Sequence, residues 1–361
     1  MEYRPKEIIG HGSFGIIRKV VAKDGTVNVR KEISYKSMNQ KERAQLISEF
    51  RILKSLVHPN IVRYLHHEHD VTNQEVHLYM EYCGGGDLSG VIRNLRDKDE
   101  FYPEYKVWNV LTQLCLALYT CHNNKTPPAL AASILAPSSD AIESPHSFVL
   151  HRDIKPENIF LDSSNNYVNV KLGDFGLAKM LDLEHPLATT YVGTPFYMSP
   201  EILTDQPSTP ASDIWSLGCV MYELCSRYPP FQAKTHLQLA NKVREAKFKP
   251  LPSIYSATLA RTIEACLRID PNQRPTAATL LRLDIIKICR KEIELKEREM
   301  ELQKKFLLLR EREEELDGVY EKLQSELHGV IEEEVERRLQ ERQKSINPPP
   351  LARKLMNQKL R

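Results

Sequence analysis

Two short stretches constrain the folding and chemistry of this 361-residue chain more than any others. They are His151-Arg152-Asp153-Ile154-Lys155-Pro156-Glu157-Asn158 and Asp174-Phe175-Gly176 within KLGDFGLAK. Asp153 can accept the proton of an attacking hydroxyl, and Asn158 can offer a metal an amide oxygen. Lys155, between them, can neutralise charge developing on a transferred phosphoryl group. Asp174 adds a carboxylate suited to Mg2+, a hard cation that takes oxygen ligands. Taken singly, Asp153 and Asp174 could be helix caps or turn residues. At this spacing, one hairpin's length apart, they are read as a single site.

The rest of the chain supplies a setting. KEIIG, IIRKVVAKDG and TVNVRKEIS read as strands, with Asp24-Gly25 as a turn signal. Gly10-His11-Gly12-Ser13-Phe14-Gly15 lies between two of them. GxGxxG is weak alone, since a hairpin turn or a dinucleotide fold uses it too. Here the strand-like IIRKVV follows, so the glycine amides can cover phosphates from a strand–loop–strand hairpin. Lys31 stands on a further strand and Glu49 on the helix expected over Asn39 to Val57, where the two could pair. EVHLYMEYC is another strand, followed by GGGD; beyond it YKVWNVLTQLCLALYTCH and DIWSLGCVMYELCS read as helices, the second apolar nearly all round and therefore buried. The pattern is a small strand-rich lobe, a glycine hinge and a larger helical lobe.

These motifs together resemble the eukaryotic protein kinases, over residues 3 to about 288. The resemblance implies an α+β, two-lobed kinase fold with ATP between the lobes. The divisions expected are a small lobe over 1–82, a large lobe over 83–288, a coiled coil over 289–345 and a Pro/basic tail over 346–361. Asp153 matches the catalytic base, with Lys155, Asn158 and Lys31 completing the catalytic set. Asn158 and Asp174 match the ligands of Mg2+, for which Mn2+ is a possible substitute. Gly10, His11, Gly12, Ser13, Phe14, Gly15, Ile17, Val29, Lys31 and Glu49 match the parts that hold ATP. Met80 is the expected gatekeeper, with Glu81, Tyr82 and Cys83 as the hinge. Glu201, in Ser199-Pro200-Glu201, is expected to pair with Arg274, and Asp213 to brace the catalytic loop. Val29 replaces the family's usual alanine, and Pro5 in the first strand predicts that the strand begins after it. No catalytic position is missing, so an active enzyme is expected over its rival, a non-catalytic scaffold.

HPNIVRY, MEYCGGGDL, YVGTPFYMSPE and SDIWSLGCVMYEL are similar to the NIMA-related kinases, mitotic serine/threonine kinases, and the long insert before the catalytic loop points to a fungal member. Lys155 and Gly193-Thr194-Pro195 fit the serine/threonine-specific pattern. Arg152 with Lys179 is the expected receptor for a phosphate on the activation segment, at Thr190 in preference to Thr189. The family implies protein substrates and a place in cytoplasm and nucleus, at spindle-pole structures.

After about residue 285 Glu, Lys, Arg, Gln and Leu dominate. Leu295, Leu302, Leu309, Leu316, Leu323 and Val330 recur every seventh residue, the mark of a coiled-coil seam. The companion core positions are Glu299, Phe306, Glu313, Tyr320, Leu327 and Glu334, and Gly318 and Gly329 each weaken the helix. A marginal homodimer is expected, raising the effective concentration for phosphorylating Thr190 in trans.

Bulk properties exclude other classes. A net charge of +2 does not argue for nucleic acid, and no apolar run is long enough to cross a bilayer. The seven cysteines form no CxxC pair, and MEYRPKEIIG has no apolar leader, so a soluble protein of a reducing compartment is expected. His66, His67, His69 and Asp70 match no zinc spacing. Residues 123 to about 147, rich in Pro, Ala and Ser, are read as a disordered surface insertion, and SFVL after them as strand-like.

Overall fold

The structure is a computed structural model. It describes residues 3–12, 15–128, 130, 149–162, 169–175 and 196–346, without the side chains at 41, 42, 44, 45, 48, 49, 51, 52, 236 and 344–346. It divides into two compact units, 1–291 and 292–361.

The first unit begins with strands β1 (Arg4–Gly12), β2 (Gly15–Val21) and β3 (Val27–Ser34). Each follows its predecessor by a tight connection, as alternating apolar runs broken by glycine require. The β2–β3 turn closes because Asp24 Oδ1 accepts from the amide of Thr26 at 2.9 Å while Gly25 adopts φ +85°. Helix α1 (Gln40–Ser55) comes next, then β4 (Tyr64–Asp70) and β5 (Glu75–Glu81), giving an antiparallel sheet ordered β1-β2-β3-β5-β4. Ile33, Leu46, Phe50, Val76 and Leu78 are buried between the sheet and α1.

Pro5 lies inside β1, opposite Val20, and does not precede the strand. The physical reason is that β1 is an edge strand, where a residue without an N–H can be tolerated.

The larger lobe follows with α2 (Leu88–Asp97), capped by Asp87, which accepts from Gly90 at 2.8 Å, and α3 (Glu104–Asn123). After the short hairpin of β6 (Ile159–Asp162) and β7 (Asn169–Leu172) come α4 (Pro210–Ser226), α5 (His236–Glu245), α6 (Ala257–Cys266) and α7 (Ala277–Leu280). α4 is the predicted central helix. A Thr209–Ser212 capping box starts it, and Ile214, Trp215, Leu217, Val220 and Leu224 are fully or almost fully buried. SFVL does not extend as a strand where it is described. Val149 and Leu150 are irregular, and the Val149 amide donates to Cys121 O at the end of α3 at 2.9 Å. Most of the 123–147 insert lies outside the described residues.

A final helix, α8, spans Asp284–Ile346. The expected seam positions along it, Leu295, Leu302, Leu309, Leu316, Leu323 and Val330, are exposed. Pairs such as Lys305–Glu301 at 2.7 Å and Arg337–Glu334 at 2.8 Å run along its surface.

Candidate active site

The site is assembled from α4 outward. Asp213, 2% exposed on that helix, accepts the His151 amide on Oδ2 at 3.0 Å and the Arg152 amide on Oδ1 at 2.9 Å. His122, at the end of α3, is hydrogen-bonded through Nε2 to the same carboxylate at 2.9 Å. Burial would raise the Asp213 carboxyl, but the hydrogen bonds from His122 and from the His151 amide outweigh it and hold its pKa below the ordinary value. An ionised carboxylate thus fixes the first two residues of the catalytic loop.

His151 carries the constraint onward. Its Nε2 lies 3.0 Å from Gly173 O, and its Nδ1 accepts the Asp153 amide at 3.3 Å. Only the neutral ring protonated at Nε2 satisfies both contacts, and burial lowers its pKa accordingly. The ring also packs on Phe175, centroids 4.6 Å apart. Arg152 and Asp174 both hold positive φ, at 65° and 52°, conformations that cost non-glycine residues energy and persist only under such constraint. Gly173 is needed between them, since a Cβ there would lie 2.6 Å from Val62 Cγ2.

A single 3-10 turn over Pro156–Asn158 folds the loop back on Asp153. Lys155 Nζ donates to Asp153 Oδ2 at 2.8 Å, and Asn158 Nδ2 donates to the same oxygen at 2.9 Å and to Asp153 O at 2.7 Å. Two of the four expected catalytic side chains, Lys155 and Asn158, therefore converge on the carboxylate of a third, Asp153. The fourth, Lys31, comes from β3 and is hydrogen-bonded and ion-paired to Asp174 Oδ1. The Glu49 side chain, its expected partner, lies outside the described residues.

In the glycine loop, Gly10 pairs with Ile17, and Gly12 with Gly15, while Ser13 and Phe14 lie outside the described residues. Gly15 has a structural reason to be glycine, because a Cβ would fall 1.5 Å from Glu32 O of β3. Val29 and Met80 are Cα partners across β3 and β5, and Lys31 pairs with Leu78. Glu81, expected in the hinge, accepts from Lys171 of β7 at 2.9 Å and from the Arg63 amide at 2.7 Å. Cys83 is half-buried, and burial pushes its thiol up to about 12, which keeps it protonated.

Glu201 and Arg274 meet as expected, in a bidentate pair at 2.7 and 2.8 Å, with Ser212 Oγ donating to Glu201 at 2.7 Å. Arg274 also donates to three backbone carbonyls and lies over Trp215 at 5.0 Å. Thr189, Thr190, Lys179 and Thr194 fall outside the described residues. Sequence reasoning passed over His122, Lys171 and the Tyr197–Glu223 contact at 2.6 Å. No spacing rule marks them, because each partner is remote along the chain.

The chain matches the protein kinase domain model over residues 3–286. It is 52% identical over 333 residues to the G2-specific protein kinase nim-1 of Neurospora crassa, covering 91% of this chain and 38% of that protein. It is 48% identical over 337 residues to the G2-specific protein kinase nimA of Emericella nidulans, covering 92% and 48% respectively. To the serine/threonine-protein kinase Nek2 of Homo sapiens it is 42% identical over 286 residues, 79% of this chain and 60% of that protein. The chain thus spans less than two-thirds of each of these relatives. With a kinase domain model over most of its length, and its convergent Asp153, Lys155 and Asn158, the chain belongs to the protein kinase family, among the NIMA-related serine/threonine kinases.

Proposed function

We propose that this protein transfers the γ-phosphoryl group of ATP to serine and threonine hydroxyls of proteins and acts in control of cell division. The observation that carries the reading is the convergence of Lys155 and Asn158 on the Asp153 carboxylate, on a loop pinned to α4 by Asp213. Asp153 orients the acceptor hydroxyl and takes its proton, while Lys155 stays beside the group in transit. Lys31, ion-paired with Asp174, is the proposed contact for the nucleotide phosphates.

The residues fit a divalent cation. Asn158 spends its NH2 on Asp153, which leaves its carbonyl oxygen for a metal, and Asp174 has a second oxygen beyond the one on Lys31. Mg2+ is held by one or two such oxygens together with substrate phosphates, and Mn2+ could replace it. When bound, the ion neutralises charge on the phosphate oxygens.

The G2-specific names of the two fungal relatives support a role in the cell cycle, and a place at spindle-pole structures of cytoplasm and nucleus is proposed from the family resemblance alone. Phosphorylation of Thr190, read by Arg152 and Lys179, is the proposed switch, and Thr189 the alternative acceptor. The α8 tail is proposed to join two copies. A phosphate-incorporation assay on a generic protein acceptor tests the activity. Lys31→Met and Asp153→Asn should each lower incorporation by about a hundredfold or more. Equal incorporation by both variants and the parent chain would overturn the assignment.

A further inference from the structure

The seam of α8 is exposed on this chain, with Leu302, Phe306, Leu309, Tyr320, Leu323 and Leu327 each 59 to 67% accessible. Its chemical complement is a second copy of itself, and the flanking charges distinguish two ways of pairing. We propose that two copies pair antiparallel, centred between Glu314 and Glu315. The proposal rests on the dimer reading above and adds the orientation.

In a parallel pair, equal core positions meet. Glu299, Glu313 and Glu334 would then each face their own copy, three like-charge layers in the seam. Lys305 would also face the partner's Arg310, leaving Arg312 with the partner's Asp317 and Glu333 with the partner's Arg338 as the attractive flanks. The charge along the row that precedes the companion core positions explains the alternative. Arg298, Lys305 and Arg312 occupy its first half, and Glu326 and Glu333 its second. A row that changes sign midway complements itself when reversed.

With the centre named above, Arg298 faces the partner's Glu333, Lys305 the partner's Glu326 and Arg310 the partner's Asp317. Each pair occurs twice by symmetry, and no like charges oppose one another in the flanks. In the seam Glu299 meets Val330, Glu313 meets Leu316 and Glu334 meets Leu295, so no two glutamates share a layer. Phe306 packs against Leu323, Tyr320 against Leu309 and Leu327 against Leu302. Sliding by one heptad one way sets Arg310 and Arg312 each against its own copy. Sliding the other way does the same to Asp317 and brings Lys296 to Arg338. Register and direction are therefore set by the same charges. The same-chain pairs Lys305–Glu301 at 2.7 Å and Arg310–Glu314 at 3.5 Å, both fully on the surface, compete only weakly.

At about 1.5 Å per residue the two Leu295 positions would lie roughly 60 Å apart. The gain in effective concentration for phosphorylating Thr190 in trans is then smaller than in a parallel pair, where those positions adjoin.

The test uses the full chain. Leu302→Cys chains and Leu327→Cys chains, mixed and oxidised, should join to each other and not to themselves, with the parent chain as control for the native cysteines. Arg298→Glu should raise the dimer dissociation constant about tenfold in sedimentation equilibrium, and adding Glu333→Arg should restore it. Self-linking of Leu302→Cys chains, or no rescue by the second reversal, would overturn the orientation while leaving the dimer standing. A concentration-independent monomer would overturn both.

Discussion

At the scale of single residues, His58 gives the molecule a pH response separate from its chemistry. Its Nδ1 accepts the Asn60 amide at 3.0 Å, so the ring must remain unprotonated there. Burial, then the charge of Lys171, hold its pKa down to about 4. The unfolded chain, with an ordinary imidazole near 6.5, binds more protons than the folded one between those values. The stability this group contributes is complete above about pH 6.5 and is lost as pH falls toward 4. The full effect is at most on the order of 3 kcal/mol. His58→Asn can keep an acceptor without a titrating ring, so its denaturant midpoint should fall less between pH 7 and 5 than the parent's. Parallel pH profiles for the two proteins would show that His58 does not couple to folding. Asn60 beside it donates to Gln113 at 2.8 Å and Val170 O at 2.9 Å, which holds the α1–β4 connection against the larger lobe.

At the scale of elements, what could be read in advance was local. Asp153, Lys155 and Asn158 lie within one turn of chain, so their spacing alone marked them as one site, though not that Lys155 and Asn158 would both donate to the Asp153 carboxylate. The burial of α4 was equally legible, because its apolar residues run all round the helix. Pro5 misled because edge position belongs to the sheet order, which no window of sequence contains. His122 and Lys171 were missed for the same reason, their partners Asp213 and Glu81 lying on other elements. The Glu201–Arg274 pair was legible only through the family resemblance, and its energetics follow from burial. The Glu201 carboxyl is pulled up by burial, yet Arg274, the local backbone and Ser212 bring it below the ordinary value. Arg274→Leu strands that buried carboxylate and should cost about 3–5 kcal/mol by chemical denaturation. Glu201→Leu/Arg274→Leu removes both charges and should be less destabilised than the single variant, though Ser212 and three carbonyls lose a partner. A double variant as unstable as the sum of both singles would mean the two side chains act independently.

At the scale of the whole molecule, the two units are stabilised by different means. The first has a buried core running through α3, α4 and α6, which one chain completes by itself. The second exposes the apolar row expected to form a seam along α8, and surface ion pairs there add little beside the packing of an apolar face, from which helices in proteins draw most of their stability. Its stability should therefore depend on a second copy and rise with protein concentration, as binding linkage requires. The chain offers a way to see each unit separately. Both of its tryptophans, Trp108 and Trp215, are buried in the first unit, so their fluorescence reports that unit, whereas helix circular dichroism also reports α8. On heating the full chain at two concentrations a hundredfold apart, the fluorescence midpoint should hold constant. The dichroism should show an additional transition that moves upward with concentration. If both signals ignored concentration, α8 would not be held by self-association. If both moved together, the first unit too would owe its stability to assembly, contrary to the self-contained core that carries Asp153 and Asp213.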